Sequence, residues 1–333
     1  MEFGFWIGCA AQSKIQIPKS KIANMEFGKL TSIDSIDSVD FTLPPDPPGN
    51  AWVLQKTSAA SGTGQLYLGA TGYNMKPWVG SWYPATCKEK DFLKYYGLQF
   101  NTIEHNTTHY RIPDAATVAR WAEETPADFR YCPKIPQSIS HARDLGVNGG
   151  EIALFAHAIR GLGPKLGPCF LQLPPYFSTG DLTRLAQFFR VFPGDVPLAV
   201  EVRHESFFTA NSSAEAFFDL LQSRNAATVI TDVAGRRDVC HLRLTQPTVL
   251  IRFVGNNLHP TDYTRIQSWA QRLSQWFDQG LKAAYFFTHE PDNLLAPDLA
   301  AFCAEAFGAQ MPGVVLRGPK PISLLPGQQG SLF

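Results

Sequence analysis

Between Gln65 and Glu290 the chain alternates short apolar runs with longer stretches in which apolar residues recur every three or four positions. Eight such runs stand out: "QLYLGATG", "FNTIEHN", "FRYCPKIP", "PCFLQLPP", "PLAVEVRH", "AATVITD", "TVLIRFVG" and "AAYFFTHE". They are mostly apolar and alternate poorly, as strands buried on both faces of a parallel sheet do. The stretches between them read as helices. "DAATVARWAEE" places Val118, Trp121 and Ala122 on one face, behind Asp114 as N-cap. "SSAEAFFDLLQSR" predicts a capping box of Ser212 and Glu215 ahead of Phe217, Leu220 and Leu221. "TDYTRIQSWAQRLSQWFDQG" repeats Ile266, Trp269, Ala270, Leu273, Trp276 and Phe277 and stops at Gly280. One link is weak, because "VAGRRDVCHLRLTQP", after the sixth run, carries no amphipathic helix. Eight strands separated mostly by helices over about 250 residues predict a (β/α)₈ TIM-type barrel, spanning residues 65–310. An open doubly wound sheet is the structural alternative. The glycines of "GATGYNMKPWVG" have the wrong spacing for its phosphate loop, so no nucleotide cofactor is expected.

The flanks have a different texture. Residues 1–64 read as an irregular N-terminal arm and 311–333 as a C-terminal tail. "SIDSIDSVDFTLPPDPPGN" combines a period-three polar repeat with prolines that favour extended or turning backbone. Such an arm is expected to make few core contacts, with Phe41 and Trp52 pinning it to the barrel. The opening "MEFGFWIGCAAQS" has Glu2 where a signal peptide needs positive charge, so a lipoprotein signal at Cys9 is not expected. "MEFG" recurs at Met25, so Met1 and Met25 both stand as expected starts of translation.

Charge and cysteine narrow the partners. The 29 basic and 29 acidic residues cancel, leaving no strong field for nucleic acid or an anionic membrane. No apolar run approaches the ~20 residues of a membrane span. A small-molecule substrate is therefore the expected partner, with nucleic acid less favoured and the oligomeric state open. The six cysteines (Cys9, Cys87, Cys132, Cys169, Cys240, Cys303) form no C-x-x-C pair. They are expected to be free thiols in a reducing cytoplasm. Cys132 lies on a run that also carries polar groups and is the one thiol of interest.

In barrels of this kind the reacting groups come from the C-terminal ends of the strands. Those ends here carry Tyr73 with Trp78 in the following loop, Glu104 and Asn106, Lys134 with His141 beyond, Gln172, then Glu201, Arg203 and His204. Asp232, Arg252 and the pair His289 and Glu290 end the last three. Glu104 and Asn106 share a strand face, as do Glu201 and Arg203. A mouth holding Glu104, Glu201, Asp232, Lys134, Arg203 and Arg252 is a mutually compensated set, as buried charge requires. His105 alternates away from Glu104 and reads as structural. Trp78, Trp82 and Tyr83 serve equally well as loop packing or as a stacking surface.

The order and spacing of "LGATGYNMKPWVGSWYP", "YYGLQFNTIEHNTTHYRIP", "WAEETPADFRYCPKIPQSISH", "KLGPCFLQLPPYF" and "LAVEVRHESFF" resemble the YecE-like family, domain of unknown function seventy-two. The resemblance runs from about Gln65 to Phe307. It implies a TIM-barrel-like fold and no established reaction. It also implies that Gly72, Trp78, Tyr83, Pro84, Glu104, Asn106, Tyr110, Lys134, His141, Gln172, Pro174, Glu201, Arg203 and His204 occupy pattern positions of the family. The last third departs from that pattern. "LIRFVGNN" keeps Arg252 and Gly255 but has Val254 where the family has histidine, and Thr288 and His289 replace asparagines.

Three functions remain open from the residues. The first is a hydrolase, lyase or isomerase acting on a small anionic substrate. In it Glu104, Glu201, Lys134 and His141 do the acid–base work, while Tyr73, Trp78, Asn106, Tyr110, Gln172, Arg203, His204, Asp232 and Arg252 bind. The second is a metal-dependent phosphodiesterase or isomerase using a divalent cation, for which no tight ligand spacing exists. The third is a ligand-binding barrel without catalysis.

Overall fold

The computed structural model describes residues 28, 30, 33–55 and 64–322. The expectations about a signal at Cys9 and a start at Met25 fall outside them. All eight apolar runs form parallel strands: β1 Gln65–Ala70, β2 Thr102–His105, β3 Arg130–Pro133, β4 Cys169–Gln172, β5 Leu198–Glu201, β6 Ala227–Asp232, β7 Thr248–Val254 and β8 Ala283–His289. They pair in the order β3-β2-β1-β8-β7-β6-β5-β4. Bridges Tyr131↔Leu166 and Lys134↔Phe170 draw β3 toward β4, so the barrel is nearly closed. A short ninth strand, β9 (Val315–Arg317), continues the sheet beside the first half of β1. No apolar periodicity signals it.

Strand parity sorts the side chains into two environments. Tyr67, Cys132, Phe170, Ala199, Val229, Leu250, Tyr285 and Phe287 fill the barrel interior as one apolar cluster. The alternate residues face the helices, where Leu66, Leu68, Ile103, Ile251 and Phe286 belong to one apolar cluster with Trp269, Leu273 and Trp276 of the helix Pro260–Gln279. That helix ends at Gly280 with φ +116°, a left-handed conformation that favours glycine. Asp114 caps the helix Ala115–Glu124 by accepting from the Thr117 N–H at 2.8 Å. The Ser212/Glu215 box does not form. Asn211, one residue earlier, caps Ser212–Ser223 through the Ala214 N–H at 2.9 Å, since an amide oxygen serves that N–H as well as a serine hydroxyl does.

The arm is more firmly docked than its composition predicts. Its helix Gly49–Gln55 buries Asn50, Val53 and Leu54. Asn50 donates to Leu242 O at 2.9 Å and accepts from Leu244 N at 2.8 Å. Asp46 accepts from Arg272 Nη1 at 2.7 Å and from Trp276 Nε1 at 2.9 Å. The arm helix therefore lies against the β6–β7 connection, the one link lacking an α-helix of its own. Trp52 is 53% exposed, so burial comes from Leu54 and Val53, while Phe41 packs on Arg237 and Arg265. Among the described residues no helix is long and apolar enough to cross a membrane.

Candidate active site

Where the apolar filling ends, the same inward positions become polar. One step beyond Cys132, Phe170, Ala199, Leu250 and Phe287 stand Lys134, Gln172, Glu201, Arg252 and His289, joined by Glu104 from β2. Arg252 is the hub. Its Nε donates to Glu104 Oε2 at 2.8 Å and its Nη2 to Glu104 Oε1 at 3.2 Å. Nη1 reaches both oxygens of Glu201, at 3.2 and 3.0 Å. Arg203 adds a bond to Glu201 Oε1 at 2.9 Å, and Gln172 Nε2 reaches Oε2 at 2.8 Å. Gln172 Oε1 accepts from Lys134 Nζ at 2.9 Å. Asn106 Nδ2 lies 3.0 Å from Glu104 Oε1, and His289 Nε2 lies 2.9 Å from Glu104 Oε2.

These contacts set the protonation states. Burial alone would raise both carboxyls, but Arg252 and His289 hold Glu104 well below the usual carboxylate range. Arg252 and Arg203 likewise bring Glu201 down to about 2. Lys134 moves the other way. Burial, with Arg252 nearby, lowers its ammonium to about 8 despite the attraction of Glu104 and Glu201. Desolvation disfavours the charged form, and the adjacent cation adds to that.

Other expected residues sit at the rim or elsewhere. Tyr110 is 81% exposed beyond β2. His141 is exposed past β3, with Nδ1 2.9 Å from Ser140 Oγ, and burial of its ring together with Lys134 and Arg203 lowers its pKa. Tyr73 is half-buried, its ring parallel to that of His105 with centroids 6.4 Å apart. His105 is sealed edge-on against Trp121 and Tyr131, and burial lowers its pKa to about 3.

Three more expected binding residues lie outside the cluster. Trp78 is 1% exposed, packed with Tyr83 and Tyr96, and its Nε1 donates to Leu294 O at 3.0 Å, because the first βα loop folds inward to complete a core. His204 caps the turn Glu205–Phe207 through Ser206. Asp232 points to the helix layer. It accepts from Trp269 Nε1 at 2.7 Å and pairs with Arg265 at 2.9 Å and with Arg237. The inward residue at that level is its neighbour Thr231, a register partner of Arg252.

His289 lies outside the acid–base and binding set that the sequence predicts. The signal available for it was parity. His289 follows Tyr285 and Phe287 on the inward face, whereas Glu290 turns outward and accepts the Asn257 N–H at 2.9 Å.

Comparison with known proteins places this architecture. The sequence model of the family described as "Protein of unknown function DUF72" matches residues 67–323. The UPF0759 protein YecE of Escherichia coli K12 is 32% identical over 286 residues, spanning 80% of this chain and all of that protein. The UPF0759 protein YunF of Bacillus subtilis is 27% identical over 152 residues, 43% of this chain and 52% of the relative. Among solved structures, a DUF72 family protein from Enterococcus faecalis V583 superposes with a TM-score of 0.58 at 19% identity, covering 74% of this chain and 98% of its own. Another from Thermotoga maritima gives 0.53 at 23% identity, covering 74% and 99%. At those identities the likeness to the solved structures concerns the fold.

Proposed function

The chain belongs to the DUF72 family, and from that premise we propose that it is an enzyme acting on a small anionic substrate at the C-terminal mouth of its barrel. One observation carries the reading. The mouth cluster holds three cationic side chains, Lys134, Arg203 and Arg252, against two carboxylates, Glu104 and Glu201, and among the described residues one of the three makes no ion pair in this buried layer. That one is Lys134. Arg252 spends its donors on two carboxylates, whereas the Lys134 ammonium has three donors and, among the described residues, one hydrogen-bond acceptor, Gln172. A phosphate or carboxylate group arriving there supplies the missing counter-charge.

With the anion held at Lys134, the roles within the site are divided differently from the sequence expectation. Glu104 and Glu201, held ionised far below neutral, make poor proton donors and weak bases. Their role is to fix Arg252, and with it the shape of the mouth. Lys134, brought down to about 8, is protonated at neutral pH yet able to give its proton up. The metal-dependent reading has less support. Glu104 and Glu201 share Arg252, Asp232 faces the helices, and among the described residues no three His, Cys, Asp or Glu side chains gather as ligands.

Thermal unfolding in inorganic phosphate or acetate tests the proposal. A bound anion at one hundred times its Kd adds about 2.7 kcal/mol to the stability of the wild type. Lys134→Met is expected to abolish that gain. An equal shift in both proteins would place the anion elsewhere and sink the reading.

A further inference from the structure

Of the polar groups in the mouth, the imidazole of His289 supplies no charge to the anion site but borders it, sharing Glu104 Oε2 with Arg252. Its side chain is 17% exposed, and its Nε2 lies 2.9 Å from Glu104 Oε2. Glu104 is ionised and so can only accept a hydrogen bond. The neutral ring is therefore the Nε2–H tautomer, with its lone pair on Nδ1. Among the described residues no other hydrogen bond reaches this side chain, so Nδ1 keeps that lone pair. The charged groups around the ring are Glu104, Arg252 and Glu201. Burial lowers the pKa, Glu104 and Glu201 raise it and Arg252 lowers it, and the balance lies below the ordinary histidine value. At neutral pH the ring is a free base held in one orientation by a carboxylate.

Lys134 and His289 stand on either side of Glu104, from β3 and β8. Between β8 and β2, just past the end of β1, lies Gly72, where a Cβ would meet nothing within 4 Å. The interior thiol, Cys132, sits one layer below, and burial pushes it up into the neutral form, so it offers no nucleophile.

We propose that His289 is the proton acceptor of this site and Lys134 the proton donor, and that the substrate is a carbonyl compound bearing an anionic group. The inference rests on the anion-site reading above. In the reaction Nδ1 takes a proton from the carbon beside the carbonyl. The C–H electron pair becomes a C=C bond, the carbonyl π pair moves onto oxygen, and that oxygen takes a proton from Lys134 Nζ. One proton leaves the substrate and one arrives, and nothing is oxidised or reduced. Where the carbon that lost its proton carries a hydroxyl, that hydroxyl gives its proton to the now neutral Lys134 as its oxygen becomes the new carbonyl. The imidazolium returns its proton to the former carbonyl carbon, which completes an isomerisation. Opposed protonation states at neutral pH are what such an acid–base pair requires.

Two measurements test it. Diethyl pyrocarbonate attacks neutral, accessible imidazole, and peptide mapping at pH 7 is expected to find His289 modified and shielded by inorganic phosphate. If His289 stays unlabelled while the exposed His141 reacts, the proposal is overturned. Incubation in D₂O with a panel of ketose phosphates, aldose phosphates and 2-oxo acids is expected to place deuterium beside the carbonyl of at least one member. His289→Gln should slow this about 10²-fold or more while leaving the phosphate-induced stabilisation in place. No exchange with any panel member, or exchange unchanged by His289→Gln, also overturns it. Failure of the anion-site reading looks different: phosphate then neither stabilises the wild type nor shields His289, whatever the exchange rate.

Discussion

Arg252 and Arg265 neutralise buried carboxylates on opposite faces of the same stretch of barrel wall, with opposite consequences. On the helix side, Asp232 is enclosed by Arg265, Arg237 and the Trp269 indole, and Asp262 adds a second bond to Arg265 at 3.1 Å. Phe41 of the arm lies over both guanidiniums, at 4.7 and 5.1 Å. In the mouth, Arg252 is as fully engaged, yet Lys134 beside it makes no ion pair among the described residues and donates to the neutral Gln172. In the first cluster Arg265 and Asp262 are sealed under packed helices and Arg237 alone reaches the surface at 22% exposed, whereas in the second Arg252, Arg203 and His289 keep 11, 17 and 17% of their side chains exposed. A saturated ion cluster holds the fold together, while one with a cation outside its ion pairs is held at some cost in stability and is available to a ligand.

That contrast can be broken at either end. Asp232→Asn removes the countercharge of Arg265 in the closed cluster. We expect a loss on the order of 3 kcal/mol in urea unfolding, Asp262 retaining part of the pairing, with phosphate binding unchanged. A loss of phosphate binding without a loss of stability would reverse the assignment of the two clusters. Lys134→Met should act in the opposite sense, stabilising the protein at pH 7 by on the order of 1–3 kcal/mol because a desolvated cation is removed. The pH dependence sharpens this. Lys134 titrates near 8 when folded and near 10.5 when unfolded, so the unfolded chain binds more protons between those values. Wild-type stability therefore gains a rising contribution from about pH 8 to 10.5, which Lys134→Met lacks. Parallel stability curves for the two proteins would show that Lys134 is not buried as a charge. The smallest effect is expected from Phe41→Ala, which uncovers Arg237 and Arg265 for about 1 kcal/mol. Calorimetry should find its phosphate affinity intact.

The eight strands were legible in the sequence because burial on both faces of a parallel sheet leaves an unbroken apolar run, and each strand formed inside such a run. Glu104, Lys134, Gln172, Glu201 and Arg252 were legible too, since period-two alternation and the end of a run locate an inward polar tip. Local pattern could not decide the partner of each tip. Asp232 ends its run just as Glu201 does, but one step of parity turns it to the helices. The same parity turns His289 inward, beside a Glu104 that is 185 residues away in the chain. Trp78 lies in a loop whose packing is set by Tyr96 and Leu294, and the arm has a polar composition yet docks where the β6–β7 link supplies no helix. Burial and periodicity are written residue by residue, so the chain alone determined the barrel and the level at which it turns polar. Which charges meet, and which keeps a spare donor, depends on distances between separate strands, and only the closed barrel fixed those.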